Sequence, residues 1–250
     1  MSRSINTDLI NPAKHFIEWK GEKGILQYYQ KSIDDSKQGE NIEVPIPFRF
    51  LVLDCLSTIK GYSDADQSGY WSNEIRDLKK EELIVKTKKG TAFKGLYSAA
   101  IASRDTIGCK YCQSVYIAYW TESKEMIIAN LQLTGAAVSS WIEFRKQNKI
   151  YEGAIEIVGK QEATKGKTIY QIPVFKKITT TQETDEIAKD LDVELQEYLT
   201  MYFKRNRDVI ADNSINEPEI APNGFMPRSI MPDIERKPET KIDEDNDLPF

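Results

Sequence analysis

Residues 110–120 read Lys-Tyr-Cys-Gln-Ser-Val-Tyr-Ile-Ala-Tyr-Trp, and this stretch is the strongest indication of the fold class. Its β-branched and aromatic residues favour a strand, in which successive side chains point to opposite faces. The two alternating sets are Tyr111, Val115, Ile117 and Tyr119 on one side and Cys112, Tyr116, Ala118 and Trp120 on the other. Neither set is polar, so we expect both faces of this strand to be covered by the protein or used for binding.

The same strand-forming composition recurs along the chain. Similar runs, bounded by polar or glycine-bearing turns, predict strands at 46–56, 126–133, 153–159 and 168–175. The polar stretch 160–167 predicts a hairpin turn, and apolar residues at helical spacing predict helices at 135–149, with Thr134 as N-cap, and at 185–203. We predict a mainly β (α+β) body, compatible with an OB-type barrel, a small sandwich or an α+β sheet.

Charge is divided unevenly along the chain. The formal net charge is −5, but residues 1–180 contain 26 Lys and Arg against 21 Asp and Glu, while 181–250 contain 8 against 18. An acidic end on a near-neutral or basic body is a pattern of nucleic-acid-binding proteins with acidic tails. The overall acidity therefore does not exclude a body whose cations displace counterions from phosphates.

The C-terminal region differs in composition from the rest of the chain. Residues 208–250 contain six of the ten prolines and few large apolar residues, which predicts a disordered, Pro-rich acidic tail after a domain at 1–207. The tail ends in Asp243, Glu244, Asp245, Asn246, Asp247, Leu248, Pro249 and Phe250. This pattern predicts a protein-docking tip, because the acids can meet a basic rim, the aromatic ring can enter an apolar pocket and the terminal carboxylate can pair with a cation. A plain solvated tail is the alternative.

This tip resembles that of bacterial and phage single-stranded DNA-binding proteins, whose usual form is a short acidic run ending in Ile-Pro-Phe. Leu248 stands where that family has Ile, and the resemblance is confined to the tail. It implies an OB-fold body that coats single-stranded DNA non-specifically in replication, recombination and repair. It also implies that the tip recruits a polymerase, helicase or primase. A body of 207 residues favours a phage protein with an elaborated OB-fold, located in the host cytoplasm and monomeric or weakly self-associating.

Aromatic and basic residues alternate in the middle of the body. Single-strand binding needs both, because rings stack on bases and cations pair with phosphates. The predicted DNA-binding residues are Tyr70, Trp71, Lys86, Lys88, Lys89, Phe93, Lys94, Tyr97, Arg104, Lys110 and Tyr111. Neighbouring glycines and polar residues suggest that Tyr70, Trp71, Phe93 and Tyr97 are exposed. The alternation 85–88 suggests that Lys86 and Lys88 share one strand face. Core packing is the alternative for each ring.

Three cysteines and a single histidine limit metal and redox chemistry. Cys109 and Cys112 have the spacing of half a zinc knuckle, which Cys55 and His15 could complete. No second pair with metal-ligand spacing accompanies them, so we expect buried thiols, no metal and no cofactor.

The sequence contains no recognisable enzymatic signature, so we expect no catalytic activity. No apolar run is long enough to span a bilayer, which predicts a cytoplasmic protein without a membrane partner. Two alternatives to DNA coating remain. One is a replication or virion adaptor whose body binds protein, and the other is a metal-dependent nuclease that uses carboxylates such as Asp54, Asp64 and Asp66.

Overall fold

The protein is represented by a computed structural model that describes residues 10–32, 39–63, 68–102 and 109–216. The chain divides into two compact units, Met1–Val209 and Ile210–Phe250, and the architecture below is that of the first. The predicted docking tip, 243–250, lies outside the described residues.

Eleven strands and three helices are present in the described ranges. The strands are β1 (His15–Lys20), β2 (Ile25–Gln30), β3 (Glu40–Val44), β4 (Phe48–Ser63), β5 (Ser68–Ser72), β6 (Leu83–Thr87), β7 (Gly90–Gly95), β8 (Cys109–Trp120), β9 (Met126–Thr134), β10 (Ala154–Lys165) and β11 (Thr168–Ile178). The helices are α1 (Tyr97–Ala102), α2 (Ala136–Gln147) and α3 (Gln182–Asn216). The mainly β class predicted from the sequence is confirmed.

The strands form an open, mixed sheet. Its hydrogen-bonded order is β3-β2-β1-β9-β8-β4-β5-β6-β7, in which β1 lies parallel to β9 and the other neighbours are antiparallel. Strand β4 pairs with β8 along one edge. Its other edge pairs with β10 at the start of the strand and with β5 at the end. Strand β10 also forms a long hairpin with β11.

The sheet is not the closed OB-type barrel that the tail resemblance implied. In the described chain β11 pairs with β10 alone, and the free edge of β9 is taken by β1. Strand β11 nevertheless reaches the turn between β1 and β2. There the Gln171 N–H donates to the Gly21 carbonyl at 2.7 Å, and the Trp19 indole N–H donates to the Gln171 carbonyl at 2.9 Å. These contacts join β11 to β1 and to the turn that follows it without completing a strand ladder.

One side of the central strands, here called the inner face, packs against α2. Trp141 of α2 is fully buried and lies 5.1 Å from the ring of Phe175. Strands β1, β8 and β9 contribute Ile17, Ile117 and Leu131, all fully buried, to the same core. Large aromatic and branched side chains contribute most of the stability of a core. This cluster, together with α2, therefore covers the inner face of the sheet.

The opposite side, here called the outer face, is partly covered by α3. Leu195 and Leu199 of α3 pack on Leu51, Tyr116 and neighbouring outer-face residues. The buried Asp54 carboxylate forms a bidentate pair with Arg76 at 3.0 and 2.7 Å, and the Gln196 side-chain amide donates to it at 3.1 Å. The helix is therefore held by apolar packing and by a polar anchor.

A bulge in β4 exchanges the faces of that strand. Val52 opposes Ile117 and Asp54 opposes Tyr116, so Leu53 is an extra residue in the ladder with β8. An extra residue moves every later side chain to the other face. Val52 packs in the inner core, whereas the later residue Lys60 lies beside Lys110 and faces outward.

Several predicted elements differ in detail. The helix predicted from Thr134 begins at Ala136 with Gly135 as its N-cap, and no side chain caps it. The turn of the β10–β11 hairpin is confined to Gly166 and Lys167 instead of 160–167, because both strands extend through polar residues. Helix α3 runs to Asn216, past the predicted end at residue 203. No helix in the described ranges is long and apolar enough to cross a membrane.

Replacing Leu195 tests how α3 is attached. Leu195→Ala removes a fully buried side chain and should lower the free energy of unfolding by about 3 kcal/mol, measured by urea denaturation. The matched control is Val193→Ala, because Val193 lies on the same helix but is 60 % exposed and should change stability by less than about 0.5 kcal/mol. Equal losses in the two variants would contradict the packing described for α3.

Candidate nucleic-acid interface

A groove of about 690 Å³ crosses the half of the outer face that α3 leaves uncovered. Side chains from five strands line it, among them Phe16, Lys60, Tyr62, Trp71, Lys110 and Gln132. At the α3 end it meets Asn11, Glu74, Tyr198 and Tyr202. The groove therefore has an aromatic and basic portion on the sheet and a polar end beneath the helix.

A row of cross-strand neighbours forms the basic portion of this surface. Lys110 of β8 opposes Lys60 of β4, Lys60 opposes Trp71 of β5, and Trp71 opposes Lys86 of β6. Directly opposed residues of paired strands point to the same face of a sheet. Three cations and an indole ring are therefore aligned across four strands.

Three aromatic side chains in the groove are exposed to solvent. Trp71 is 48 % exposed, Tyr62 is 55 % exposed and Phe16 is 45 % exposed. Large exposed apolar side chains gathered in one concave surface mark binding sites more often than isolated ones do. These rings offer flat faces on which a planar ligand can stack.

An acid beside the groove, Glu18, is paired with lysines, one of which, Lys60, lines the groove. The Lys60 ammonium donates to the Glu18 carboxylate and, at 2.6 Å, to the side-chain carbonyl of Gln132. Lys20 donates to the other oxygen of Glu18. Burial raises the pKa of Glu18, but the lysine ion pairs outweigh burial and hold this pKa below its usual value. The Glu18 carboxylate is therefore charged at neutral pH.

The end of the groove beneath α3 contains a second, more deeply buried acid. Glu74 accepts hydrogen bonds from the hydroxyls of Ser114 and Tyr116 (2.8 Å) and from the Asn130 amide at 3.4 Å. Its backbone N–H donates to the Tyr202 hydroxyl at 2.8 Å, which ties it to α3. Burial raises the pKa of the Glu74 carboxyl despite these three donors.

The structure separates the predicted aromatic residues. Trp71 lies in the groove with its side chain exposed, whereas Tyr70 and Tyr97 are buried in a core formed by β4, β6 and α1, although Tyr70 also borders the groove. The expectation that these two rings are exposed is wrong. Phe93 is half-buried against the same core. Tyr111 is also half-buried, and its hydroxyl is hydrogen-bonded with Ser57 at 3.0 Å.

The predicted basic residues are distributed over a wider surface. Lys110 lines the groove, and Lys86 is exposed at the end of the cation row. Strand β6 ends at Thr87, so Lys88 lies with Lys89 in the following turn and does not share a strand face with Lys86. Lys94 is half-buried on β7, opposite Ile84. Arg104 lies outside the described residues.

Several residues in or beside the groove are not among those predicted from the sequence. Lys60 was not predicted because the bulge that turns it outward leaves no signal in the local sequence. Phe16, Gln132 and the adjacent Glu18 were not predicted because their position depends on the parallel pairing of β1 with β9, which places Glu18 opposite Gln132. Tyr62 is also absent from the predicted set, and only the structure places it beside the cation row.

The possible zinc ligands do not converge within the described part of the chain. No group of three or more His, Cys, Asp and Glu side chains there could hold a metal ion. Cys55 opposes Val115, whose side chain is on the inner face, whereas Cys112 lies in the row of Thr58 and Thr134 on the outer face. Burial raises the pKa of Cys55 to about 11 and that of Cys112 to about 12, so both thiols are protonated at neutral pH. The side chain of Cys109 is outside the described residues.

His15 and Asp54, two other candidates for metal chemistry, have structural partners. The His15 ring stacks on Tyr28 at 4.0 Å and its Nδ1 lies 2.5 Å from the Tyr119 hydroxyl. The Asp54 carboxylate accepts hydrogen bonds from the side chains of Arg76 and of Gln196 on α3. Asp64 and Asp66, on which the nuclease alternative also depends, lie outside the described residues.

Comparison with known proteins gives no further guidance: no family model, curated protein or solved structure matches this chain. The function of this chain is therefore inferred from the groove, its charges and the chemistry of the tail.

Glu74 should make stability depend on pH. Folding raises the pKa of this carboxyl, so its contribution is fully present below the unfolded pKa and is lost as pH rises through the folded pKa. We expect the excess stability of the wild type over Glu74→Gln to shrink as the pH rises above about 4, the ordinary pKa of a glutamate, in urea denaturation. Glu197→Gln, at an exposed position on α3, serves as the control and should keep the wild-type profile. A difference that grows with pH would contradict the raised pKa.

Proposed function

We propose that this protein binds single-stranded DNA in the groove and coats it in replication, recombination and repair. The observation that carries the proposal is the row Lys110, Lys60, Trp71 and Lys86 beside the exposed rings of Tyr62 and Phe16. Base stacking on aromatic rings and pairing of phosphates with nearby cations are the two interactions that single-strand binding requires. Neither interaction depends on sequence, which suits a coating protein.

Strand connectivity supports an OB-type origin for the body. Strands β4, β8 and β9 form an antiparallel meander, α2 follows, and β10 returns to pair with β4 before forming the hairpin with β11. An OB-fold is a partly open five-stranded Greek-key barrel that binds oligonucleotides on the face of its second and third strands. With β4 as the first strand, the groove lies on the corresponding face, that of β8 and β9. On this interpretation β1–β3 and β5–β7 elaborate the five-stranded unit.

Two exposed tryptophans allow a matched test of the groove. Trp71→Ala should weaken binding of an oligo(dT) by about tenfold, because stacking on one ring contributes about 1–3 kcal/mol. Trp120→Ala is the control. Trp120 is 46 % exposed, like Trp71 at 48 %, but it lies at the opposite end of β8 from Lys110. Its removal should leave the affinity unchanged.

The measurement is a fluorescence anisotropy titration of labelled oligo(dT) at several salt concentrations, repeated with duplex DNA of the same length. Wild-type affinity that favours the single strand and falls as salt rises is the expected result. Absence of binding at low salt would refute the function. An equal loss in Trp71→Ala and Trp120→Ala would remove the groove as the site.

We also propose that the C-terminal tip recruits a replication polymerase, helicase or primase. The support is the chemistry of 243–250, in which four acids precede an apolar residue, Pro249 and Phe250. An aromatic ring that follows an acidic run suits a small apolar pocket with a basic rim.

Deleting residues 248–250 tests this second role. The shortened chain should bind oligo(dT) as the full chain does, but should lose co-sedimentation with the purified replication polymerase, helicase or primase of the same source. A shortened chain that still sediments with the same enzyme as the full chain would show that the tip is not the docking element.

A further inference from the structure

We propose that Glu18, which is paired with the same Lys60 that donates to Gln132, contacts the edges of bases in the groove and favours those that carry an exocyclic amino group. The inference rests on the proposed single-strand binding and concerns its selectivity. The rest of the surface tolerates any base sequence, and this polar site would distinguish one base from another.

The three side chains form a connected polar group that crosses the central strands. Glu18 is opposite Gln132 in the β1–β9 pair, and Lys60 reaches both of them from β4. The side chains of Glu18 and Lys60 are 32 % and 29 % exposed, so they remain accessible although they are fixed by one another. Within the described residues, the Gln132 amide donates no hydrogen bond, which leaves a donor available to a ligand.

The position of this polar group favours base edges over phosphates. Glu18 offsets one of the two lysine charges beside it, those of Lys60 and Lys20, so a phosphate is attracted less strongly here than to two free lysines. Two other cations of the row, Lys110 and Lys86, form no ion pair among the described residues; they lie to one side of it and are exposed. A strand whose phosphates follow these lysines and whose bases stack on Trp71 can direct base edges toward Glu18.

The chemistry of the group distinguishes amino from keto bases. A carboxylate only accepts hydrogen bonds and an ammonium only donates them. The 4-amino group of cytosine can donate to Glu18, a pairing that acidic side chains make with this base, while its N3 can accept a hydrogen bond from Lys60. Uracil presents a 4-keto oxygen in place of the amino group, and that oxygen would face the carboxylate without a hydrogen bond.

The test compares oligo(dC) with oligo(dU), because cytosine and uracil differ at this edge, whereas thymine would add a methyl group as a second difference. Oligonucleotides of about 12 nucleotides are used, a length within the site size of folds that bind single strands. Backbone flexibility and stacking set a baseline preference, so the measured quantity is the change in the ratio of the two affinities. Glu18→Gln replaces one of the two carboxylate oxygens by an amide nitrogen, which is a donor, and removes the negative charge. It should lower the dC-to-dU affinity ratio by about fivefold or more. Glu18→Asp, which keeps the charge but retracts the carboxylate, should lower it as well.

Glu22→Gln is the matched control, because Glu22 is exposed in the turn that follows β1 and its replacement removes the same charge. It should alter both affinities together and leave the ratio unchanged. A ratio that is unaffected by both Glu18 substitutions, in proteins that still bind both oligonucleotides, would overturn this inference while leaving the proposed function intact. Equal changes in Glu18→Gln and Glu22→Gln would also overturn it. Failure of the wild type to bind either oligonucleotide would instead refute the proposed function.

Discussion

Strand β8 is apolar on both faces, and the architecture follows from the need to cover both. On the inner face, the curvature of the sheet and α2 enclose Val115 and Ile117. On the outer face α3 covers Tyr116 and Ala118 but not the part of β8 that ends at Lys110. A strand buried on both sides normally requires a layer on each side. The incomplete outer layer is what leaves a groove, so the candidate site is a consequence of how far α3 extends over the sheet.

The bulge at Leu53 determines which side chains this groove receives. Before it, Val52 and its alternate neighbours belong to the inner core; after it, the opposite parity of β4 faces inward and Lys60 faces outward. A regular strand would direct Lys60 into an apolar core, where an unpaired ammonium is very costly. The same extra residue brings Asp54 under α3, where it pairs with Arg76. One irregularity therefore serves both the helix anchor and the groove.

Sequence patterns predicted the longer strands and missed the short ones. The runs that became β8, β9 and β11 are rich in β-branched and aromatic residues, and the spacing of Trp141 and its neighbours marked α2. Strands β1–β3 and β5–β7 are only five or six residues long, so each gives a weak local pattern. Trp71 and Lys110 were found from composition alone. Tyr70 was misjudged because an adjacent glycine indicates a possible turn but not which face of the strand is buried, and Glu18 required a long-range parallel pairing that no local pattern reveals.

An acid beside the proposed DNA-binding groove at first argues against that function, since each cation it neutralises releases fewer counterions when DNA binds. The objection disappears if phosphates and bases occupy different parts of the groove. On the proposed function, the exposed lysines along the row supply the salt-dependent attraction, while the ion pair between Glu18 and Lys60 reduces the positive charge at this part of the surface. Free lysines here would attract phosphates and turn the bases outward, away from Trp71. By offsetting this charge, Glu18 would favour the orientation in which bases reach the rings.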